Sequence, residues 1–182
     1  MEEGKPAAEI YMKLQIGSSR VRGKYRGDEW VNLDIKKFDD VNVLGDGLAL
    51  PFATGSIDEV HCVHVLEHMI RDKSPTMLGE MHRVLKKGGD CYVEVPDFRA
   101  TIQWLEAAFR GGDVEAIHNW ITSIYGKSEI PGMAHHWGFY EGSLRRAFRQ
   151  QGFNDVKRLL TKEEMISTHY RQEPILLIRG TK

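Results

Sequence analysis

Residues 57–95 constrain the fold most. IDEVHCV at 57–63 and CYVEV at 91–95 are short apolar runs of strand length. Between them PTMLGEMHRVLK at 75–86 sets Met77, Leu78, Met81, Val84 and Leu85 at helical spacing, with Gly88 and Gly89 as the stop. A strand, a helix and a strand within about forty residues form a parallel unit with a right-handed crossover. Further strand-like runs occupy 10–16, 30–33, 41–44, Val156 to Leu160 and the segment PILLIRG from Pro174. Helical spacing predicts helices over 100–110, 113–125 and 141–151. The order is mostly strand and helix in alternation, with a helical insert after the fifth strand, which argues an open α/β sheet flanked by helices.

Nothing divides the chain. Its 182 residues fall in the range of one ordinary domain, read here as 1–182 with 99–140 a helical insert or cap on the acceptor side. Hydrophobic residues make up 41% and charged residues 28%, with a formal net charge of −1, so the chain as a whole has no bias toward nucleic acid or acidic membranes. No stretch is long and apolar enough to span a bilayer, and MEEGKPAAEI lacks the order of a signal peptide, so a cytoplasmic location is expected. Cys62 and Cys91 sit inside apolar runs, as reduced, packed thiols do.

In open sheets of this type ligands lie at the carboxyl ends of the strands. That rule selects Gly17, Ser18 and Ser19, then Asp34, Asp46, His64, and Pro96 with Asp97. A dinucleotide loop needs glycine at its first, third and sixth positions, which here are Gly17, Ser19 and Arg22. Residues 18–29 also lack amphipathic spacing, so the helix that would face a phosphate is reduced, and a pyrophosphate cofactor is disfavoured. A turn at Gly17 and an acid at Asp34, able to accept both ribose hydroxyls, suit a nucleoside instead. Asp46, in the Gly-flanked turn of GDGLALPF, is placed to accept from an exocyclic adenine amine, with Leu48 as an apolar face. The ligand implied is an adenosine without phosphates.

These residues resemble the class I S-adenosylmethionine-dependent methyltransferases, most closely the small type-11 subgroup. LQIGSS is similar to the first motif, WVNLDI to the second, GDGLALPFATGSIDEVHCVHVLEHM to the third and fourth, and EMHRVLKKGGDCYVEVPDF to the crossover helix and fifth strand. The resemblance covers about residues 10–98, with an echo in HHWGFYEGSLRRAFRQQGF at 135–153. It implies a seven-stranded, Rossmann-like sheet whose last strand is antiparallel, and S-adenosylmethionine as methyl donor. Carried over by position, Gly17, Ser18 and Ser19 would line the methionine portion of the donor and Asp34 would hold the ribose. Ile35 would lie on adenine, Asp46, Gly47 and Leu48 would receive its edge, and His64 would border the sulfonium. The departure is Ser19, where many members carry a second glycine.

Methyl transfer requires in-line approach of a nucleophile, with a base where the acceptor must lose a proton. His136 is the preferred base, with His64 and Asp97 as further candidates. For the acceptor the reading selects Arg20 and Arg22, from a basic run continued by Lys24 and Arg26, together with Tyr125, His135 and Trp137. That run suits a small or medium polar, anionic acceptor; without an extended basic stripe, nucleic acid is not expected as partner. Trp104 and Trp120 are read as core. His64 and His68 are four apart but lack the glutamate placement of a zinc protease motif, so no metal is expected. The competing readings are aminopropyl transfer on the same scaffold and a catalytically silent donor-binding or partner-binding module.

Overall fold

The computed structural model describes residues 11–17, 25, 27–159 and 174–182. Seven strands form one sheet: β1 (Lys13–Ile16), β2 (Trp30–Asp34), β3 (Val43–Leu44), β4 (Ile57–Val63), β5 (Leu85–Pro96), β6 (Asn154–Leu159) and β7 (Ile175–Thr181). Their spatial order is β3-β2-β1-β4-β5-β7-β6. β1 to β5 pair in parallel, and β7 runs antiparallel to both β5 and β6. The seven-stranded, mostly parallel sheet with an antiparallel last strand is therefore present, and strand order reverses beside β1, the place where open sheets bind ligands.

The helices are α1 (Ser74–Val84), α2 (Phe98–Gly111), α3 (Val114–Tyr125) and α4 (Glu141–Gln150). α2 and α3 form the helical insert after β5. α1 buries Met77, Leu78, Met81 and Val84 against the core, the face that the sequence periodicity marks. It ends two residues short of the 75–86 stretch: Leu85 is extended and opens β5, because Ile57 at the start of β4 pairs with it across the sheet. Tertiary pairing overrides a residue equally at home in either element. Asp97 starts α2 and Asp113 starts α3, each accepting a hydrogen bond from the backbone N–H three residues on, at 3.3 and 3.0 Å.

One face of the sheet carries the main core, where Leu14, Val60, Val93, Leu176 and Ile178 meet α1 and the Leu144 and Phe148 face of α4. Gly180 is required there, since a Cβ would come within 2.7 Å of the Phe148 ring. The opposite face carries Tyr25, whose hydroxyl meets His61 Nδ1 at 3.3 Å and whose ring packs edge-on against Trp30. Cys62 and Cys91 are free and buried, and burial pushes both thiols above their ordinary value. The reading of Trp104 and Trp120 as core needs correction. The two rings pack edge-to-face between α2 and α3, but Trp104 remains 44% exposed, because the insert stands off the sheet's core. The reduced first helix expected near residues 18–29 falls mostly outside the described residues. Among those residues no helix is long and apolar enough to cross a membrane.

Candidate active site

The site is assembled by four strand ends, those of β1 to β4, and closed by the segment that follows α3. β1 terminates at Gly17, whose N–H donates to Leu33 O at 2.9 Å and whose φ of +82° lies in the left-handed region. A Cβ there would collide with Val65 Cγ2, so the chain reverses at this point only with glycine. β2 terminates at Asp34, 8% exposed, with Oδ1 accepting from Lys36 N at 2.9 Å. After β3, Asp46 forms a turn in which its Oδ1 accepts from Leu48 N at 2.9 Å, and Gly47 packs against Met77. That loop is pinned from below by Arg83, which donates to Leu50 O and Phe52 O at 2.9 and 2.8 Å while pairing with Glu80.

The fourth strand end is polar and buried. His64 adopts φ +51° and donates its backbone N–H to Glu94 O at 2.9 Å. Its ring lies between two carboxylates, with Nδ1 3.1 Å from Glu67 Oε1 and Nε2 3.4 Å from Glu94 Oε1. Burial opposes a charge on this ring, but hydrogen bonding and attraction to both glutamates outweigh it and hold the imidazole protonated well above its usual range. The same contacts hold Glu67 ionised against the opposing effect of burial.

The 3-10 turn at Leu66–His68 then presents Glu67 and His68 to the segment returning from α3. Glu67 O accepts from the backbone N–H groups of His136 and Trp137 at 2.8 and 3.3 Å. His68 Nδ1 donates to Ala134 O at 2.9 Å, and His135 Nδ1 to Ser123 O at 2.8 Å. The two rings meet edge-on with centroids 4.9 Å apart. Burial lowers the pKa of His135, favouring its neutral form. Two residues beyond β2, Lys36 Nζ reaches Pro131 O at 3.1 Å and ties this returning segment to the strand ends.

Between these walls lies a cavity of about 280 Å³. Gly17, Asp34, Ile35, Asp46, Gly47, His64 and His135 line it, so the structure brings these selected residues together. Leu48 lies in the same turn as Asp46 but not on the cavity wall. His136, Tyr125 and Trp137 are not on the wall either: His136 and Tyr125 are exposed, and Trp137 stacks with Arg71 at 5.0 Å. Asp97 is 4% exposed and turned to structural use, capping α2 and pairing with Arg158 Nη2 at 3.1 Å. Ser18, Ser19, Arg20, Arg22, Lys24 and Arg26 lie outside the described residues. The wall also contains residues that sequence reasoning did not select, notably Lys36, Phe38, Glu67, Met69 and Ser123. Of these, Phe38 follows Asp34 closely enough to have been found from the second motif; Ser123 has no such signal.

The donor set suits an adenosyl ligand. A buried carboxylate at the end of β2 can receive paired hydroxyls, Ile35 and Phe38 offer exposed apolar surface beside it, and the Gly17 turn leaves backbone rather than side chain at the strand end.

Residues 15–93 match the family model described as a methyltransferase domain. No curated protein sequence matches the chain. Among solved structures, a SAM-dependent methyltransferase from Archaeoglobus fulgidus is similar with a TM-score of 0.63 and 17% identity, over 94% of this chain and 86% of that one. A SAM-dependent methyltransferase from Thermotoga maritima is similar with a TM-score of 0.61 and 20% identity, over 94% and 82%. The 1,6-didemethyltoxoflavin-N1-methyltransferase of Burkholderia thailandensis, solved with its acceptor and S-adenosylhomocysteine, has a TM-score of 0.60 and 14% identity, over 94% and 70%. At these identities the likeness is one of fold. The methyltransferase-domain match runs from Gln15 in β1 to Val93 in β5, and the fold around it is the one these SAM-dependent methyltransferases share.

Proposed function

We propose that the cavity at the ends of β1 to β4 binds S-adenosylmethionine and that the chain transfers its methyl group to a small or medium polar acceptor entering beneath the segment after α3. The observation that carries this reading is the buried Asp34 carboxylate on a cavity wall shared with the Gly17 turn and His135. Asp34 takes both ribose hydroxyls, Ile35 and Phe38 flank the adenine, and the Asp46–Gly47 turn meets its edge. Gly17 lies along the methionine portion. When bound, the donor supplies an electrophilic methyl on a sulfonium. The protein's contribution is then to hold the acceptor in line with that methyl and to keep water out, which by itself accounts for a large share of the rate in transfers of this type. Val65, Met69 and Met133 provide the apolar lining that excludes water.

His64 borders the sulfonium side in this arrangement. Lys36 and Lys127 give the cavity a cationic side, which fits an anionic acceptor group. The basic run at Arg20 and Arg22, outside the described residues, is proposed as a further source of positive charge for the same acceptor. A small molecule is favoured over a polymer because the returning segment from α3 closes over the cavity, through Lys36 to Pro131 and through Glu67 to His136.

The test is calorimetry with S-adenosylhomocysteine, followed by transfer of labelled methyl from S-adenosylmethionine into a metabolite extract. Binding together with incorporation of label into small-molecule products supports the reading. Tight binding with no labelled product would instead favour a silent donor-binding module.

A further inference from the structure

The geometry points to a site for a first-row divalent transition-metal ion formed by Glu67, His68 and His135 at the insert side of the cavity. One carboxylate oxygen of Glu67 and one ring nitrogen from each histidine lie within 4.8 Å of one another. All three residues line the cavity wall.

The hydrogen bonds around these side chains prepare them as ligands. A backbone carbonyl can only accept, so Nδ1 of His68, facing Ala134 O, and Nδ1 of His135, facing Ser123 O, both carry the proton. In each neutral ring the lone pair is then on Nε2. An imidazole fixed through one nitrogen by a carbonyl, with the other left to bind, is the arrangement typical of metal-binding histidines. Glu67 divides its carboxylate similarly. Oε1 meets His64, while Oε2 is fully buried and meets no hydrogen-bond partner. Glu67 is 2% exposed, so leaving an ionised oxygen unmatched there is costly unless a cation comes to it.

The spacing is close to that required. For three atoms no more than 4.8 Å apart, an ion at their centre lies at most about 2.8 Å from each. Bonds to zinc of about 2.1 Å are reached if each ligand moves in by about 0.7 Å, within the range of small rotamer adjustments. Two imidazoles and one carboxylate favour manganese through zinc over magnesium or calcium, which prefer all-oxygen shells. Three protein ligands leave coordination positions for a ligand from the cavity, so the ion would bind an oxygen or nitrogen of the acceptor. That role rests on the methyltransferase reading; metal binding itself does not.

The experiment titrates the chelator-stripped full chain with Co2+, read by visible absorption, and with Zn2+ and Mg2+, read by calorimetry. The expected result is one equivalent of Co2+ with a ligand-field spectrum, Zn2+ binding at the same stoichiometry, and at least about tenfold weaker Mg2+ binding. His68→Asn and His135→Asn keep an amide N–H for the carbonyl partner but lose the ring ligand, and each should weaken Co2+ at least about tenfold. His118→Ala, on exposed α3 surface, should leave it unchanged. Circular dichroism establishes that each variant is folded. Co2+ affinity equal to wild type in folded His68→Asn and His135→Asn, or Mg2+ binding as tight as Co2+, would overturn the assignment. S-adenosylhomocysteine affinity of the metal-free chain is read separately: its absence contradicts the donor reading, not the metal site.

Discussion

The His64 ring lies 3.1 Å from Glu67, and both side chains are almost entirely out of water. Glu94, fully buried, flanks the same ring from β5 at 3.4 Å. Removing the imidazole leaves two carboxylates facing each other in a poorly solvated pocket. His64→Ala is expected to cost about 3 kcal/mol of stability, because breaking a buried ion pair from one side strands the other charge. Denaturant unfolding checks it, and a loss under about 1 kcal/mol would show that the pocket is wetter than its burial implies.

Gly17 makes a second, sharper test of the strand-end geometry. Gly17→Ala meets Val65 and also places a side chain at φ +82°, so both stability and donor affinity should fall, stability by about 1–3 kcal/mol. Adding Val65→Ala should recover only part of the loss, since it removes the collision but not the backbone strain. Full recovery in the double variant, measured by thermal unfolding and calorimetry, would mean that the backbone conformation is not strained.

Asp97 was a candidate base from its position after β5, yet it caps α2 and pairs with Arg158. Asp97→Ala is expected to lose about 1–2 kcal/mol of stability through the cap and the ion pair together, while Asp97→Asn, which can still cap, loses less. Chemical denaturation of the two variants separates these contributions. Equal losses would assign the effect to the ion pair alone.

Acid should weaken the loop that follows β3. The Arg83 guanidinium, hydrogen-bonded to Glu80, together with the Leu50 N–H, holds the Glu80 carboxyl below its ordinary value of 4.5 despite some burial. A carboxyl depressed in the folded state binds its proton more readily when unfolded. Its contribution is therefore present above pH 4.5 and is lost as pH falls through the lower folded value. Glu80→Gln should be less stable than wild type at neutral pH, and the gap should close as pH falls below 4.5. A gap that stays constant over that range would contradict the assignment.

Much of the sheet was legible because period and punctuation coincide: the β4–α1–β5 unit shows in residues 57–95, and α3 and α4 match their predicted spans within one residue. Leu85 was misplaced because its alternatives differ only in a long-range pairing with Ile57. On the strand-end wall of the cavity, Gly17, Asp34 and Asp46 were legible because each follows its own strand. The wall built by the insert was harder to read. His68 meets Ala134 across 66 residues of chain, and His135, not its neighbour His136, turns into the cavity, a choice set by the Ser123 carbonyl that no local pattern records.

In the proposed donor site Asp34 holds the ribose of an adenosyl ligand. Calorimetry of S-adenosylhomocysteine with wild type and Asp34→Ala reads that contact. Two hydrogen bonds to a charged acceptor predict about a hundredfold loss of affinity in a folded variant. Undiminished binding by folded Asp34→Ala would mean that this carboxylate does not hold the ribose.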